Sequence, residues 1–160
     1  MQPEVCLELD HRQAEHQSHM IEVEGMINKQ SISILVDSGA SRSYIDPILF
    51  ESLHLERSKH DHAWVVQLAT GAKRKVRELV KRCPLDMNGL NTIADLNFIP
   101  LGSYHVLIEM DWLEPHHAIL DCYGKIITCL NDEGQQALVK GIPRPISLRK
   151  IIALQLKRCL

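Results

Sequence analysis

The sequence predicts an all-β fold, a small closed barrel-like domain with one or two short helices. Short segments of alternating polarity recur along the chain, and residues that favour turns separate them. One separator, Asn88-Gly89, is the strongest short signal for a β-hairpin. The chain has 160 residues, 45% of them hydrophobic and 24% charged, which suits one globular domain with a core and terminal tails.

The chain begins its regular structure with two strands and a tight turn. Residues 20–27 alternate apolar side chains with Glu22 and Glu24, which predicts a half-exposed strand. Residues 28–30 then turn the chain into a second strand, which ends at Asp37.

A short helix follows. Asp46 is a good N-cap, and Pro47 suits the first helical position, so we expect a helix to about residue 53. Residues 54–63 are polar and predict a loop.

Hairpins dominate the middle of the chain. Residues 64–68 and 75–80 predict two strands around a small tip at residues 69–72. Residues 82–87 and 90–98 predict a second hairpin around the Asn-Gly turn.

The last predicted elements are shorter. Residues 106–108 suit a buried strand, residues 110–113 one helical turn, and residues 118–130 a final hairpin. Residues 147–156 are apolar on one side and basic on the other, which predicts a C-terminal helical tail. We therefore expect a flexible arm at 1–19, a domain at 20–140 and a linker with its helical tail at 141–160.

Charge and cysteine usage limit the class of protein. The net charge of −2 argues against a nucleic-acid-binding domain. No acid follows Glu133, whereas six basic residues do, and a solvated terminal segment explains this better than a nucleic-acid contact. Five cysteines without paired spacing, no signal peptide and no apolar run of ~18 residues predict a cytoplasmic protein with reduced thiols and no membrane segment.

Residues 34–41, Ile-Leu-Val-Asp-Ser-Gly-Ala-Ser, indicate chemistry. The strand becomes apolar on both faces before Asp37, so the acid should enter the interior, where a carboxylate needs hydrogen bonds, a partner or a proton. Gly39 permits a sharp turn, and the Ser38 hydroxyl can orient a carboxylate. The pattern is typical of a catalytic acid on a rigid turn.

Two other interpretations of this triplet remain open. Asp-Ser-Gly is also an ordinary turn at the end of a strand. A phosphorylated Asp-Ser-Gly recognition motif is the other option, but the apolar flank and the closeness of Ser41 disfavour an exposed peptide.

Residues 34–41 resemble the active-site segment of retropepsins, the aspartic proteases of retroviruses and LTR retrotransposons. The resemblance is closest to gypsy-type elements of plants. It continues, in order, through Tyr44-Ile45, Val66-Gln67-Leu68-Ala69-Thr70-Gly71, Asn88-Gly89-Leu90, Ile99-Pro100-Leu101-Gly102-Ser103-Tyr104, Met110-Asp111-Trp112-Leu113 and Gly141-Ile142-Pro143-Arg144-Pro145-Ile146-Ser147.

The resemblance implies a retropepsin domain that cleaves a retrotransposon polyprotein, with a C-terminal segment leading toward reverse transcriptase. It implies that Ser38 links two copies across a two-fold axis and that residues 69–72 form a flap over the substrate. A plain hairpin turn is an equal interpretation of that tip. The implied catalytic residues are Asp37, Ser38 and Gly39, and the implied substrate-binding residues are Ala40, Ser41, Ala69, Thr70 and Gly71.

The number of acidic turns predicts a homodimer. Peptide hydrolysis by carboxylates needs two acids that share a proton. Only Asp37 lies in an apolar-apolar-Asp-Ser-Gly segment, and neither Asp121 nor Asp132 repeats it. Two copies must therefore combine to form the pair.

Metal chemistry is the main competitor from composition. The chain has nine histidines and five cysteines, including His54, His60, His62, and His116-His117 near Cys122. No Cys-x-x-Cys occurs, and no histidine spacing matches a zinc pattern. We expect no metal and no cofactor.

Glu109 keeps a second function class open, a catalytically decayed module of the same fold that serves dimerisation or protein interaction. In the resembled family a glycine follows the short strand before Asp-Trp-Leu, where this chain has Glu109. Such a side chain beside the acidic turn would add bulk and charge, weakening activity. The alternative is that Glu109 points to solvent at a helix N-terminus.

Overall fold

A computed structural model describes residues 20–68 and 70–143 in full and residues 156–159 as backbone. The strands are β1 Met20–Ile27, β2 Gln30–Asp37, β3 Tyr44–Ile45, β4 Ser58–Leu68, β5 Lys73–Met87, β6 Leu90–Phe98, β7 Val106–Ile108, β8 Ile119–Asp121, β9 Ile126–Leu130, β10 Gln136–Lys140 and β11 Leu156–Cys159. The helices are α1 Pro47–Glu51 and α2 Met110–Leu113. None of the helices in the described part has the length and apolar character needed to span a bilayer.

Eight strands form one sheet in the order β1-β2-β7-β3-β6-β5-β4-β11. Because β1 also pairs with β5, six of these strands close into a barrel. A second sheet, β10-β9-β8, packs on the same core through Ile127, Cys129 and Val139. The prediction of a closed, barrel-like all-β domain is confirmed.

Two tight turns have the backbone that their sequences predict. Asn28 and Lys29, between β1 and β2, have φ values of 50° and 66°. Asn88 and Gly89, between β5 and β6, have φ values of 47° and 103°. Two successive positive φ angles match the right-handed twist of the strands, as in type I′ hairpins.

Strand β7 is inserted between β2 and β3. It pairs in parallel with β2, with Val36 opposite Ile108, and antiparallel with β3. The chain therefore leaves β2 at Asp37, passes over the end of β7 and returns as β3 at Tyr44. This connection contains the Asp-Ser-Gly turn.

Helix α1 begins as expected. The Asp46 side chain accepts a hydrogen bond from the Ile48 amide at 2.9 Å, and Pro47 occupies the first helical turn. The second Asp46 oxygen accepts from the Leu101 amide at 3.0 Å, which joins the helix to the chain before β7.

The structure corrects several boundaries. The polar stretch 58–63, predicted as loop, belongs to β4, whose residues before Val66 are exposed or half-buried and so have no clear apolar face. The two strands predicted over 75–87 are one 15-residue strand, β5. Strand β10 was not predicted.

The remaining expectations concern Glu22 and the two ends of the chain. Glu22, predicted to be exposed on β1, is buried near the Tyr104 hydroxyl, at 3.5 Å. The predicted helical tail falls mostly on residues 144–155, outside the described part, as does the N-terminal arm. Leu156, the last residue assigned to that helix, begins strand β11.

Gly25 lies where β1 meets β5 and closes the barrel. It pairs with Met87, and a Cβ atom at this position would overlap the Asp86 carbonyl and the end of the Ile34 side chain. The backbone carbonyl cannot move without disturbing the β1–β5 pairing.

We predict that Gly25→Ala lowers the free energy of unfolding by about 1–3 kcal/mol, the range for an overpacked position. Chemical denaturation measures this change. Glu24→Ala, on the exposed neighbour, is the control and should stay close to wild type. Equal stability of the two variants would show that closure tolerates a side chain at Gly25.

Candidate active site

Asp37 ends β2 and is only 3% exposed. Its Oδ1 accepts a hydrogen bond from the Gly39 amide at 2.8 Å, so the turn orients its own carboxyl group. The rest of the acidic turn, residues 38–41, faces the surface. Ser38, Gly39 and Ser41 are exposed, and Ala40 is half-buried. The turn thus presents a buried acid surrounded by accessible polar backbone.

Glu109 lies beside this turn in the same chain. It follows Ile108, the partner of Val36, so Asp37 and Glu109 are the next residues on two paired strands. The Glu109 side chain is 1% exposed, and its Oε1 accepts from the Ala40 amide at 2.9 Å. The alternative that Glu109 points to solvent is wrong.

The environment of Glu109 favours its neutral form. Burial and the neighbouring Asp37 carboxylate raise the pKa of the Glu109 carboxyl well above its usual value, and the hydrogen bond from Ala40 opposes them only in part. The chain therefore brings two carboxyl groups into one water-poor site at the end of β2 and β7.

Ser43 anchors the end of the connection that runs from the Asp-Ser-Gly turn to β3. This fully buried residue donates its amide to Asp111 Oδ2 at 2.9 Å and its hydroxyl to Asp111 Oδ1. The Ser43 hydroxyl also accepts from the Glu109 amide at 2.9 Å. Burial raises the pKa of Asp111, although the Ser43 hydrogen bonds lower it.

The hydrogen bonds continue into the sheet. The Asn97 side-chain amide donates to the Ser43 carbonyl at 3.0 Å, and Asn97 Oδ1 lies 2.7 Å from His60 Nε2 on β4. We did not predict this network from the sequence. Ser43 and Asp111 are 68 positions apart, and no local pattern marks their contact.

The predicted flap is the hairpin of β4 and β5. Its tip is tight, with the Leu68 amide bonded to the Ala72 carbonyl at 2.8 Å and Gly71 at a φ of 91°. Thr70 and Gly71 are exposed, whereas Ala69 lies outside the described residues.

The flap and the strand of Asp37 share one apolar cluster. Val66 and Leu68 of β4 pack in it with Leu35 of β2. The Arg42 guanidinium lies 4.0 Å from the centre of the Trp64 ring. This contact joins the connection between β2 and β3 to β4. These contacts connect the strand of Asp37 with the flap, the two regions named from the sequence.

Sequence comparison assigns the family. The profile described as "Retroviral aspartyl protease" matches residues 5–135, most of the chain. The chain belongs to the retroviral aspartyl protease family. Among solved structures it is similar to the retroviral protease-like domain of Ddi1 from Leishmania major, with 21% identity and a TM-score of 0.57, over 78% of this chain and 94% of that one. That likeness concerns the fold alone. No curated protein matches the chain.

The three cysteines whose side chains the structure describes are poor candidates for a competing nucleophile. Burial raises the pKa of Cys83 to about 11 and also raises the pKa of Cys122 and Cys129. A thiol with a raised pKa is a poor nucleophile near neutral pH. The part of the chain that the structure describes holds no cluster of three or more His, Cys, Asp or Glu residues placed to bind a metal.

We predict that Glu109 makes stability fall as pH rises. A carboxyl whose pKa is higher in the folded state contributes stability below its unfolded pKa, near 4.5, and that contribution is lost as pH rises toward the folded pKa. Glu109→Gln keeps the shape and the acceptor for Ala40 but cannot ionise. The unfolding free energy of this variant minus that of wild type should therefore grow as the pH rises from 4.5 toward the folded pKa, by at most about 1.4 kcal/mol per pH unit.

Denaturant titrations across this pH range measure the difference. Glu24→Gln, an exposed carboxyl on β1, is the control and should show little change in its difference from wild type. A pH-independent difference between Glu109→Gln and wild type would contradict a raised pKa at Glu109.

Proposed function

We propose that the chain is an aspartic endopeptidase that acts as a homodimer, with Asp37 from each copy forming the catalytic pair. The observation that supports this most is Asp37 itself, buried at the end of β2 and oriented by the Gly39 amide. Family membership adds the reaction class.

The proposed chemistry needs one proton shared between two Asp37 carboxyl groups. The ionised carboxyl takes a proton from a water molecule, whose oxygen attacks the peptide carbonyl carbon, while the protonated one donates to the carbonyl oxygen. Proton transfer to the amide nitrogen then allows the C–N bond to break. No metal or cofactor is required in this scheme.

Exposure around Asp37 supports the dimer. The sequence has a single Asp-Ser-Gly, and Ser38, Gly39 and Ser41 are exposed around a buried acid. A second copy placed on this face would cover those residues and bring the second Asp37 near the first. Ser38 would then join the two turns by hydrogen bonds.

We further propose that an extended peptide lies between the acidic turn and the flap. Ala40 and Ser41 would contact it from the turn, and Ala69, Thr70 and Gly71 from the flap tip. Strand addition would give most of its main-chain hydrogen bonds. The substrate class we propose is the polyprotein of an LTR retrotransposon of the gypsy type, processed in the cytoplasm by a domain at residues 20–140.

Glu109 favours a second candidate function, a decayed protease domain that serves only in dimerisation or protein interaction. Its buried carboxyl lies next to Asp37 and accepts a hydrogen bond from the Ala40 amide. Where Glu109 is ionised, its charge would favour protonation of the proposed pair and so weaken the base that activates water. Where it is protonated, its bulk beside the turn would still crowd the pair.

We predict that Asp37→Asn abolishes cleavage and leaves the fold intact. Asparagine keeps the acceptor for the Gly39 amide but cannot act as acid or base. The rate should drop by about 10²–10⁴-fold. The assay is mass spectrometry of an unstructured peptide pool at pH 5–7, with and without a statine-type inhibitor, and Asp61→Asn on the exposed part of β4 is the control.

Subunit mixing tests the dimer in the same assay. An excess of Asp37→Asn added to a fixed amount of wild type should form mixed dimers and reduce cleavage. Cleavage that is unaffected by the added variant would mean that one chain suffices. Persistent activity of pure Asp37→Asn would place the chemistry elsewhere.

We predict that Glu109→Gly raises cleavage at least tenfold over wild type, because it removes a carboxyl from beside the catalytic pair. Glu109→Gln separates the two causes, since it removes the charge and keeps the bulk. A higher cleavage rate in both variants would show that the charge of Glu109 weakens cleavage. A higher rate in Glu109→Gly alone would show that the bulk of the side chain does. Rates equal to wild type in both would make Glu109 compatible with an ordinary protease.

A further inference from the structure

The C-terminal strand lies on the edge of the flap. Strand β11 pairs antiparallel with β4, with Leu156 opposite Leu68 and Cys159 opposite Val65. The other edge of this part of β4 pairs with β5, so β4 is hydrogen-bonded on both sides up to the flap tip. β11 is the last of the eight strands in this sheet, and without it β4 would be the edge strand of the remaining seven.

An uncovered β4 would be a good acceptor for an extended peptide. Edge strands expose unpaired N–H and C=O groups, and a peptide can join them as a new strand. Residues 65–68 form this edge of β4 and lie directly before the flap tip. The Val66 and Leu68 side chains are buried, which fixes the backbone of β4 against the core.

We propose that Leu156–Cys159 is an autoinhibitory strand, which occupies the β4 edge where an extended peptide substrate pairs with the flap. This inference rests on the proposed function, because it names the main-chain docking edge for that substrate. The kind of ligand is any extended peptide able to pair antiparallel with residues 65–68.

The covalent connection favours the internal strand over a free peptide. Only residues 144–155 separate the last fully described residues from β11, and a tether of this length gives a high effective concentration of the strand at its site. A substrate must displace β11 to pair with β4. The strand would therefore raise KM and leave kcat nearly unchanged.

A proline variant of the full chain releases the strand. Successive N–H groups in a strand point to opposite sides, so one of the amides of Lys157 and Arg158 must face β4. The double variant Lys157→Pro/Arg158→Pro removes both amides. The matched control, Lys157→Ala/Arg158→Ala, removes the same charges and keeps both amides.

Hydrogen exchange gives a readout that does not depend on catalysis. In the proline variant, the amides of residues 65–68 that face β11 should exchange at least tenfold faster than in the alanine control. The amides of the same segment that face β5 should be unchanged and report an intact hairpin. Equal exchange in the two variants would overturn the assignment, as would protection in wild type that rises with protein concentration, because the strand would then come from a second copy.

Peptide binding tests the edge as a docking site. A fluorescent peptide with the sequence of residues 152–160, carrying C159S, should bind the proline variant at least tenfold more tightly than the alanine control. Equal affinity for both proteins would mean that the released edge accepts no strand and would overturn the proposal.

Cleavage kinetics then connect the edge to the substrate. The proline variant should cleave a peptide substrate with a KM at least threefold lower than the alanine control and the same kcat. An unchanged KM with faster exchange would show that β11 covers an edge that the substrate does not use. If no variant cleaves any peptide, the proposed function fails, while exchange and peptide binding still decide the occupancy of the edge.

Discussion

The parallel pairing of β2 with β7 is the constraint on which the site depends. The last paired residues of the two strands are Val36 and Ile108, so the residues that follow them, Asp37 and Glu109, are brought together. The loop that leaves β2 must then cross the end of β7 before it returns as β3. Ser43 and Asp111 hold that crossing in place with buried hydrogen bonds. The Glu109 carboxyl group loses most of its water here, and its burial together with the neighbouring Asp37 raises its pKa.

Closure of the barrel makes this arrangement rigid. β1 reaches both β2 and β5, and Gly25 allows the backbones to approach at the seam. The apolar cluster that contains Leu35 of β2 also contains Val66 and Leu68 of β4. The strand of the acid and the base of the flap therefore rest on the same side chains. A change in the packing of the flap base will therefore shift β2, and the reverse, because protein interiors have few voids that could absorb the movement.

Family membership and activity are separate conclusions for this chain. The parallel pairing of β2 with β7 buries Glu109 next to Asp37, so the chain carries a second carboxyl group beside the acid that we propose as catalytic. The fold accommodates Glu109 because the Ala40 amide donates a hydrogen bond to its carboxyl group, and because the raised pKa of Glu109 favours the neutral form. Stability of the domain therefore says little about whether the proposed Asp37 pair can activate water.

Local patterns by themselves determined most elements of this protein, because alternation, the Asn-Gly turn and the Asp-Pro cap act over a few residues. They also identified the acidic turn, since an apolar strand that ends in Asp-Ser-Gly is visible in the sequence itself. The burial of Glu22 and Glu109, the Ser43–Asp111 bonds and the strand on the flap edge were decided only by tertiary structure. Each joins segments far apart in the chain, so no local pattern records it. Whether a polar side chain meets water, a neighbour or a carboxyl group depends on which distant strand is placed beside it.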